Sequence, residues 1–288
     1  MAYRIFTDAT SDITAELAKS LGVTVLPMEF TLDGQSHRHV PGDPNLDLKA
    51  LFDAMRAGKQ AVTSQINAFQ FTEAFTPALE AGEDVIHIGF STALSGSTAS
   101  GQLAAEELQK RYPDRKIACI DSRAASLGEG LLVYCAARRK DELDFDGMVN
   151  WIEENKLHFR HWFTVDDLVY LKRGGRVSGA TAAIATVLKI KPAMHVDAEG
   201  RLIALDKVPG RKRSLKWLVD SMEETIDREK ADTVFIGHCD SMEDAQFVEE
   251  LVKERFGIAD IRIYDIGITI GAHSGPGTIA LFHYGKGR

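Results

Sequence analysis

Paired cysteines are missing from this chain. Its three, Cys119, Cys135 and Cys239, are odd in number, far apart and set among apolar residues. That excludes a disulfide framework, and without a C-x-x-C spacing it excludes a cysteine-built zinc site. They read as buried free thiols of a reducing cytoplasm. No G-x-x-x-x-G-K-[ST] occurs and no G-x-G-x-x-G follows the first strand, so phosphate-loop and dinucleotide sites have no support. His37 and His39 stand two apart with no third ligand near them, which argues against a metal. Long apolar runs are absent too. The longest, such as Ala180–Leu188, are far too short to cross a bilayer, so no integral membrane segment is expected. Excess positive charge is lacking: 34 Lys and Arg against 42 Asp and Glu leave −8. A nucleic-acid partner is therefore not expected for the chain as a whole, although a local basic patch remains open. Met1–Phe6 runs directly into a strand without a signal-peptide pattern, which suits a cytoplasmic protein.

The composition itself, 44% apolar and 26% charged, is that of a soluble globular protein. The 288 residues favour two domains. The most informative stretch is Val85–Ser97. Apolar residues dominate up to Phe90, as in a strand covered on both faces. Ser, Thr and Gly then crowd the turn before a helix that starts near Ser97. Such a turn offers backbone N–H groups, hydroxyls and a helix N-terminus at one point, which suits an anionic head group. An ordinary strand-to-helix loop with a serine cap would look the same.

Around this stretch the pattern alternates strands and helices. Tyr3–Phe6, a helix over Ile13–Leu21 with Asp12 as its cap and Gly22 at its end, and Val23–Leu26 form a β-α-β unit with parallel strands. Met28–Val40 reads as a hairpin turning at Asp33–Gly34. Leu46–Ala57 is a helix. Thr63–Ser64–Gln65 falls on a polar loop before a capping box, Asn67 with Gln70, that opens the helix Ala68–Glu80. Ala124–Arg138 is a helix containing Gly128 and Gly130, each costing about 1 kcal/mol relative to alanine. They suggest close approach of another backbone or a ligand. The start of the helix Asp144–Lys156 is the best place for a domain crossing, and a division into 1–150 and 151–288 follows. The second half gives His161–Val165, Leu168–Lys172 capped by Asp166 or Asp167, and a small-residue helix Ala180–Leu188. A hairpin around Glu199–Gly200 follows, then helices Ser214–Arg228 and Met242–Phe256 and the strands between and after them. Before the last strand, Gly271–Gly277 reads as a glycine-rich turn holding His273. The fold class is α/β: a parallel-sheet N-terminal domain and an α+β C-terminal domain with a mixed sheet.

Seven stretches in order then point one way. They are Thr7–Asp12, Thr63–Ser64–Gln65, Leu94–Ser97, Asp121–Ser122 through Gly130, Leu168–Arg176, Leu188–Pro192 and Gly271–Gly277. On these the chain resembles the DegV family, bacterial fatty-acid-binding proteins. Ala9, Ile66 and Ser97 depart from the commoner Ser, Pro and Thr without removing a head-group residue. The resemblance implies a two-domain fold holding one long-chain acid, of roughly fourteen to eighteen carbons, in a buried tunnel. It implies that Thr63 and Ser95 hold the carboxylate by their hydroxyls, with the Gly96 N–H and His273 close by. Ser64 and Ser97, on the same motifs, join the ligand-binding set. It also implies a separate dihydroxyacetone-kinase-like fatty acid kinase that phosphorylates the presented carboxylate, so the chain needs no cofactor and no catalysis of its own. Arg173, Arg176 and Arg211 are docking candidates for that partner. Two other readings stay open: an acyl hydrolase using Ser95 and His273, and a sensor or structural module that holds lipid incidentally.

Overall fold

The computed structural model describes residues 2–177 and 190–288. The expected helix Ala180–Leu188 lies outside the described residues, as does the start of the Leu188–Pro192 stretch.

The first sheet is all parallel, in the order β2-β1-β6-β7, with β1 at Tyr3–Asp8, β2 at Val23–Leu26, β6 at Asp84–Gly89 and β7 at Ile117–Asp121. Every residue of β6 is buried, its apolar Val85, Ile86 and Ile88 together with Asp84 and His87, as in a strand covered on both faces. Side-chain alternation divides these strands between two cores. Phe6 and Val85 join Phe71, Phe75 and Leu79 of α3 (Ala68–Glu80) and Leu108 of α4 (Ser97–Arg111). Ile5, Ile86 and Ile88 join the opposite core with Leu127 and Leu131 of α5 (Leu127–Ala137).

A six-stranded sheet follows, in the order β10-β9-β8-β13-β11-β12. Its strands are β8 Phe159–Thr164, β9 Ile190–Val196, β10 Leu202–Pro209, β11 Thr233–His238, β12 Asp260–Asp265 and β13 Ile279–Tyr284. Only β11 and β12 run parallel, so the sheet is mixed, as expected. Helix α5 is buried on all sides and packs against both sheets. Its apolar residues go all the way round, which is what a helix between two layers needs. Gly128 and Gly130 make this fit possible. A Cβ on Gly130 would lie 2.4 Å from the Ser11 carbonyl oxygen, and one on Gly128 would lie 2.0 Å from His161 Nε2.

A small antiparallel sheet, β4-β3-β5, joins the hairpin β3 (Met28–Leu32) and β4 (Gln35–His39) to β5 (Ala61–Ser64). Thr63 and Ser64 are therefore strand residues, not loop residues as the sequence suggested. The remaining helices are α1 (Ala15–Leu21), α2 (Leu48–Arg56), α6 (Phe145–Asn155), α7 (Val169–Arg173), α8 (Arg211–Thr225), α9 (Met242–Phe256) and α10 (Ile268–Ser274). Three further expectations are corrected. Thr14, not Asp12, caps α1, accepting from Leu17 N–H at 3.2 Å. His273 sits in the last turn of α10 rather than in a turn. Arg211 opens α8, three residues earlier than the pattern indicated.

Candidate functional site

The two large sheets and the small one meet around a cavity of about 350 Å³. Thr63, Ser95, Gly96, His273 and Arg176 all line it, although they come from four separate stretches. β5 supplies Thr63. Its neighbour Ser64 takes the opposite face by alternation, is exposed and does not line the cavity. Thr63 Oγ1 and His273 Nε2 share a hydrogen bond of 2.8 Å.

Ser95 and Gly96 come from the loop between β6 and α4. That loop is pinned at several points. Ser91 N–H donates to the Ala124 carbonyl at 3.0 Å, and Thr98 Oγ1 donates to the Phe90 carbonyl at 2.6 Å. Ser95 Oγ accepts from Ser97 N–H at 3.2 Å and lies 3.1 Å from Ser97 Oγ. Ser97 is fully buried and outside the cavity wall; its Oγ accepts from Ile66 N–H at 3.1 Å. It ties the Ser95 loop to the Thr63 strand rather than facing a ligand. Gly96 is the N-cap of α4, so the positive end of a helix dipole points here. A Cβ at Gly96 would lie 2.4 Å from Oε1 of Gln65, itself a lining residue, so a side chain there would displace the Gln65 carboxamide.

His273 is packed just as closely: a Cβ on Gly174 would lie 2.3 Å from its Nδ1. Burial, reinforced by the Arg176 guanidinium, pulls His273 down to about 4, so it is a neutral group. Arg176 is half-buried and donates from Nε to the Leu94 carbonyl at 3.2 Å and from Nη1 to the Gly174 carbonyl. Ser95 and His273 share no hydrogen bond among the described residues; each is bonded to another hydroxyl. The three arginines suggested for docking do not share one surface role. Arg173 is exposed, Arg176 faces the cavity, and Arg211 bonds Asp244 at 2.8 Å and the Gly277 carbonyl at 2.6 Å.

Away from this end the wall is mostly apolar, with Phe90, Phe163, Val196, Ile266, Ile270 and Phe282 prominent. Its hydroxyls are taken by protein partners. Thr10 donates to Glu129 at 3.0 Å, Ser126 to Asp12 at 2.6 Å and Thr278 to the Gly275 carbonyl at 2.8 Å, while Thr269 pairs with His39 at 2.6 Å. Such a wall behaves as hydrocarbon toward a ligand. A second cavity, of about 380 Å³, sets Leu46, Leu48, Phe52 and Met242 among Asp43, Asp47, Lys49, Asp240 and Asp265, so a tail there would lie against charged groups. Among the described residues no three His, Cys, Asp or Glu side chains are grouped to hold a metal, and no helix is long and apolar enough to cross a membrane.

Sequence reasoning missed the buried acids behind the wall. Asp12 accepts from Ser126 Oγ and from Gly267 N–H at 2.9 Å, joining three segments. Burial pushes its carboxyl up to about 8 against those bonds. Glu129 is likewise held well above its usual range by burial and by Asp8. Burial opposes a charge on His87, but Asp8 at 2.9 Å outweighs it and lifts the imidazole to about 10. The only signal for this cluster was the polar run Thr7–Asp12, read as strand closure and helix cap.

The family model for DegV, described as an uncharacterised protein family, matches residues 2–286. The chain belongs to the DegV family. A DegV domain-containing protein of Clostridium perfringens is 42% identical over 282 residues, 98% of this chain and 97% of that protein. Among solved structures, a DegV family protein from Thermus thermophilus, described by its fatty acid binding, superposes with a TM-score of 0.87 at 28% identity. The match covers 99% of this chain and 100% of that one. A fatty acid binding DegV family protein from Streptococcus agalactiae gives 0.86 at 27% identity, with 99% of each chain covered. The α/β architecture with a parallel and a mixed sheet is thus the DegV fold.

Proposed function

We propose that the protein binds one long-chain fatty acid, its tail along the 350 Å³ cavity and its carboxylate at the Thr63–Ser95–His273 end. The observation that carries this is the contrast between the two parts of one cavity. The walls present carbon and hydroxyls that donate to protein acceptors, whereas at one end Thr63 and Ser95 can accept their protein bonds and keep their O–H for a ligand, beside an imidazole and a helix N-terminus. The fatty acid binding described for the Thermus and Streptococcus relatives supports it.

The physical terms agree. Each buried methylene contributes about 0.8 kcal/mol, so a sixteen-carbon tail offers roughly 10 kcal/mol before the costs of ordering and association. The head group must be bonded, because an unpaired buried charge is far more costly. Donation from Thr63, Ser95 and the Gly96 N–H stabilises it without a direct ion pair, leaving a carboxylate oxygen able to attack the terminal phosphorus of ATP. We assign that step to a separate dihydroxyacetone-kinase-like fatty acid kinase, which would yield acyl phosphate and ADP. This chain then acts as a cytoplasmic carrier without its own catalysis, and Arg173, exposed at the end of α7, is the docking candidate that remains free to meet a partner. Hydrolysis by Ser95 would require His273 on the serine, and His273 is on Thr63.

Replacing Thr63 and Ser95 together by alanine should weaken retention of the acid, or acyl phosphate formation with a cognate kinase, by about tenfold or more. Unchanged lipid content by mass spectrometry together with unchanged phosphorylation would refute the assignment.

A further inference from the structure

The strand registers place four cavity-lining side chains in one row. Phe282 of β13 faces His161 of β8. The β8–β9 ladder pairs Phe163 with Met194 and Trp162 with His195, which sets Val196 opposite His161. Val196 in turn faces Leu202 of β10. All four line the cavity. One step nearer the head group on the same face, Phe163 and Ala280 also line it, and Thr278 lies beyond them toward His273. One step the other way, Phe159 and Tyr284 pair but take no part in the wall. The cavity therefore ends at the row Leu202–Val196–His161–Phe282.

This end wall has little room to recede. The His161 ring is almost fully buried and packs edge-on to Phe282, with ring centroids 5.4 Å apart. Its Nε2 accepts from Ala125 N–H at 3.2 Å, and it stands so close to Gly128 of α5 that no Cβ fits there. Ser126 beside it is tied to Asp12. Four side chains on four adjacent strands, backed by a buried helix, form a more rigid stop than a loop would.

We propose that this row is the ruler for the acyl chain: it fixes the longest tail the protein accepts and makes that limit abrupt. The inference rests on the fatty-acid reading above. To test it, delipidated protein is offered an equimolar ladder of saturated acids, and native mass spectrometry reads the longest one retained. Val196→Phe should lower that limit by roughly two methylenes or more, the volume a phenyl ring adds over an isopropyl group. Leu202→Ala, at the half-buried end of the row, should raise it. His195→Phe, one residue along β9 on the other face, should leave it where it is. Retention of no acid by the wild-type protein would overturn the fatty-acid reading, and the ruler with it. Binding by the wild type with the same limit in Val196→Phe and Leu202→Ala would overturn the ruler alone.

Discussion

His273 illustrates how a residue is set by its surroundings. Buried against Gly174 and facing Arg176, it is held down to about 4 and donates or accepts as a neutral ring. An imidazole near 4 in the folded chain and near 6.5 when unfolded binds fewer protons folded. Its contribution to stability is therefore lost as pH falls from about 6.5 toward 4. We expect wild type to lose about 2 kcal/mol relative to His273→Gln between about pH 7 and pH 5. Paired urea denaturations at the two pH values measure this; a constant difference would mean that the ring is not desolvated. A bound carboxylate beside the ring should move its titration upward, a shift that imidazole NMR follows on loading. Gly174→Ala would drive a methyl into Nδ1 and should reduce fatty-acid retention more than it reduces stability, measured by lipid content against thermal midpoint.

Among elements, locally coded features were legible and tertiary ones were not. The Asn67–Gln70 capping box forms as expected, with bonds of 2.9 and 3.0 Å, because both partners lie in one turn. The Asp33–Gly34 turn has positive φ at both positions, as its composition required. By contrast, Thr63–Ser64 becomes a strand only because β3, some thirty residues earlier, offers Glu29 and Phe30 as partners. Gly271 is tolerated inside α10 because the Phe52 ring would meet any Cβ there at 2.6 Å, a contact no local pattern encodes. Thr63, Ser95, Gly96 and His273 were legible through their motifs, and all four line one cavity. The inward turn of Arg176 and the acids behind the wall were not, since burial of charge leaves no mark on a polar-looking sequence. Asp12 looked like a cap, yet Thr14 has that role. Thr14→Ala should then cost about 1 kcal/mol through the lost cap. Asp12→Ala should cost more, because Ser126 and the Gly267 N–H lose a buried acceptor. Chemical denaturation of the two variants ranks them, and the reverse order would contradict the bridging role of Asp12.

At the scale of the molecule, α5 is the shared wall. It packs on the parallel sheet and the mixed sheet alike, and residues of both halves enter one core. We propose the division 1–150 and 151–288 as a description of the two sheets, not of two independent folding units. Thermal unfolding followed by calorimetry should show one cooperative transition. Two resolved transitions would contradict a shared core. Because the ligand would touch both halves, loading should raise the midpoint of that single transition, in proportion to the logarithm of free acid once the site is saturated.

The central claim is that a single apolar cavity ends in a carboxylate site. Native mass spectrometry of the protein as purified, after delipidation and after reloading with a long-chain acid tests it most directly. We expect one acid per chain before delipidation, none after it and one again on reloading, with the corresponding long-chain alcohol failing to replace the acid. Absence of any retained lipid, or equal retention of acid and alcohol, would contradict it.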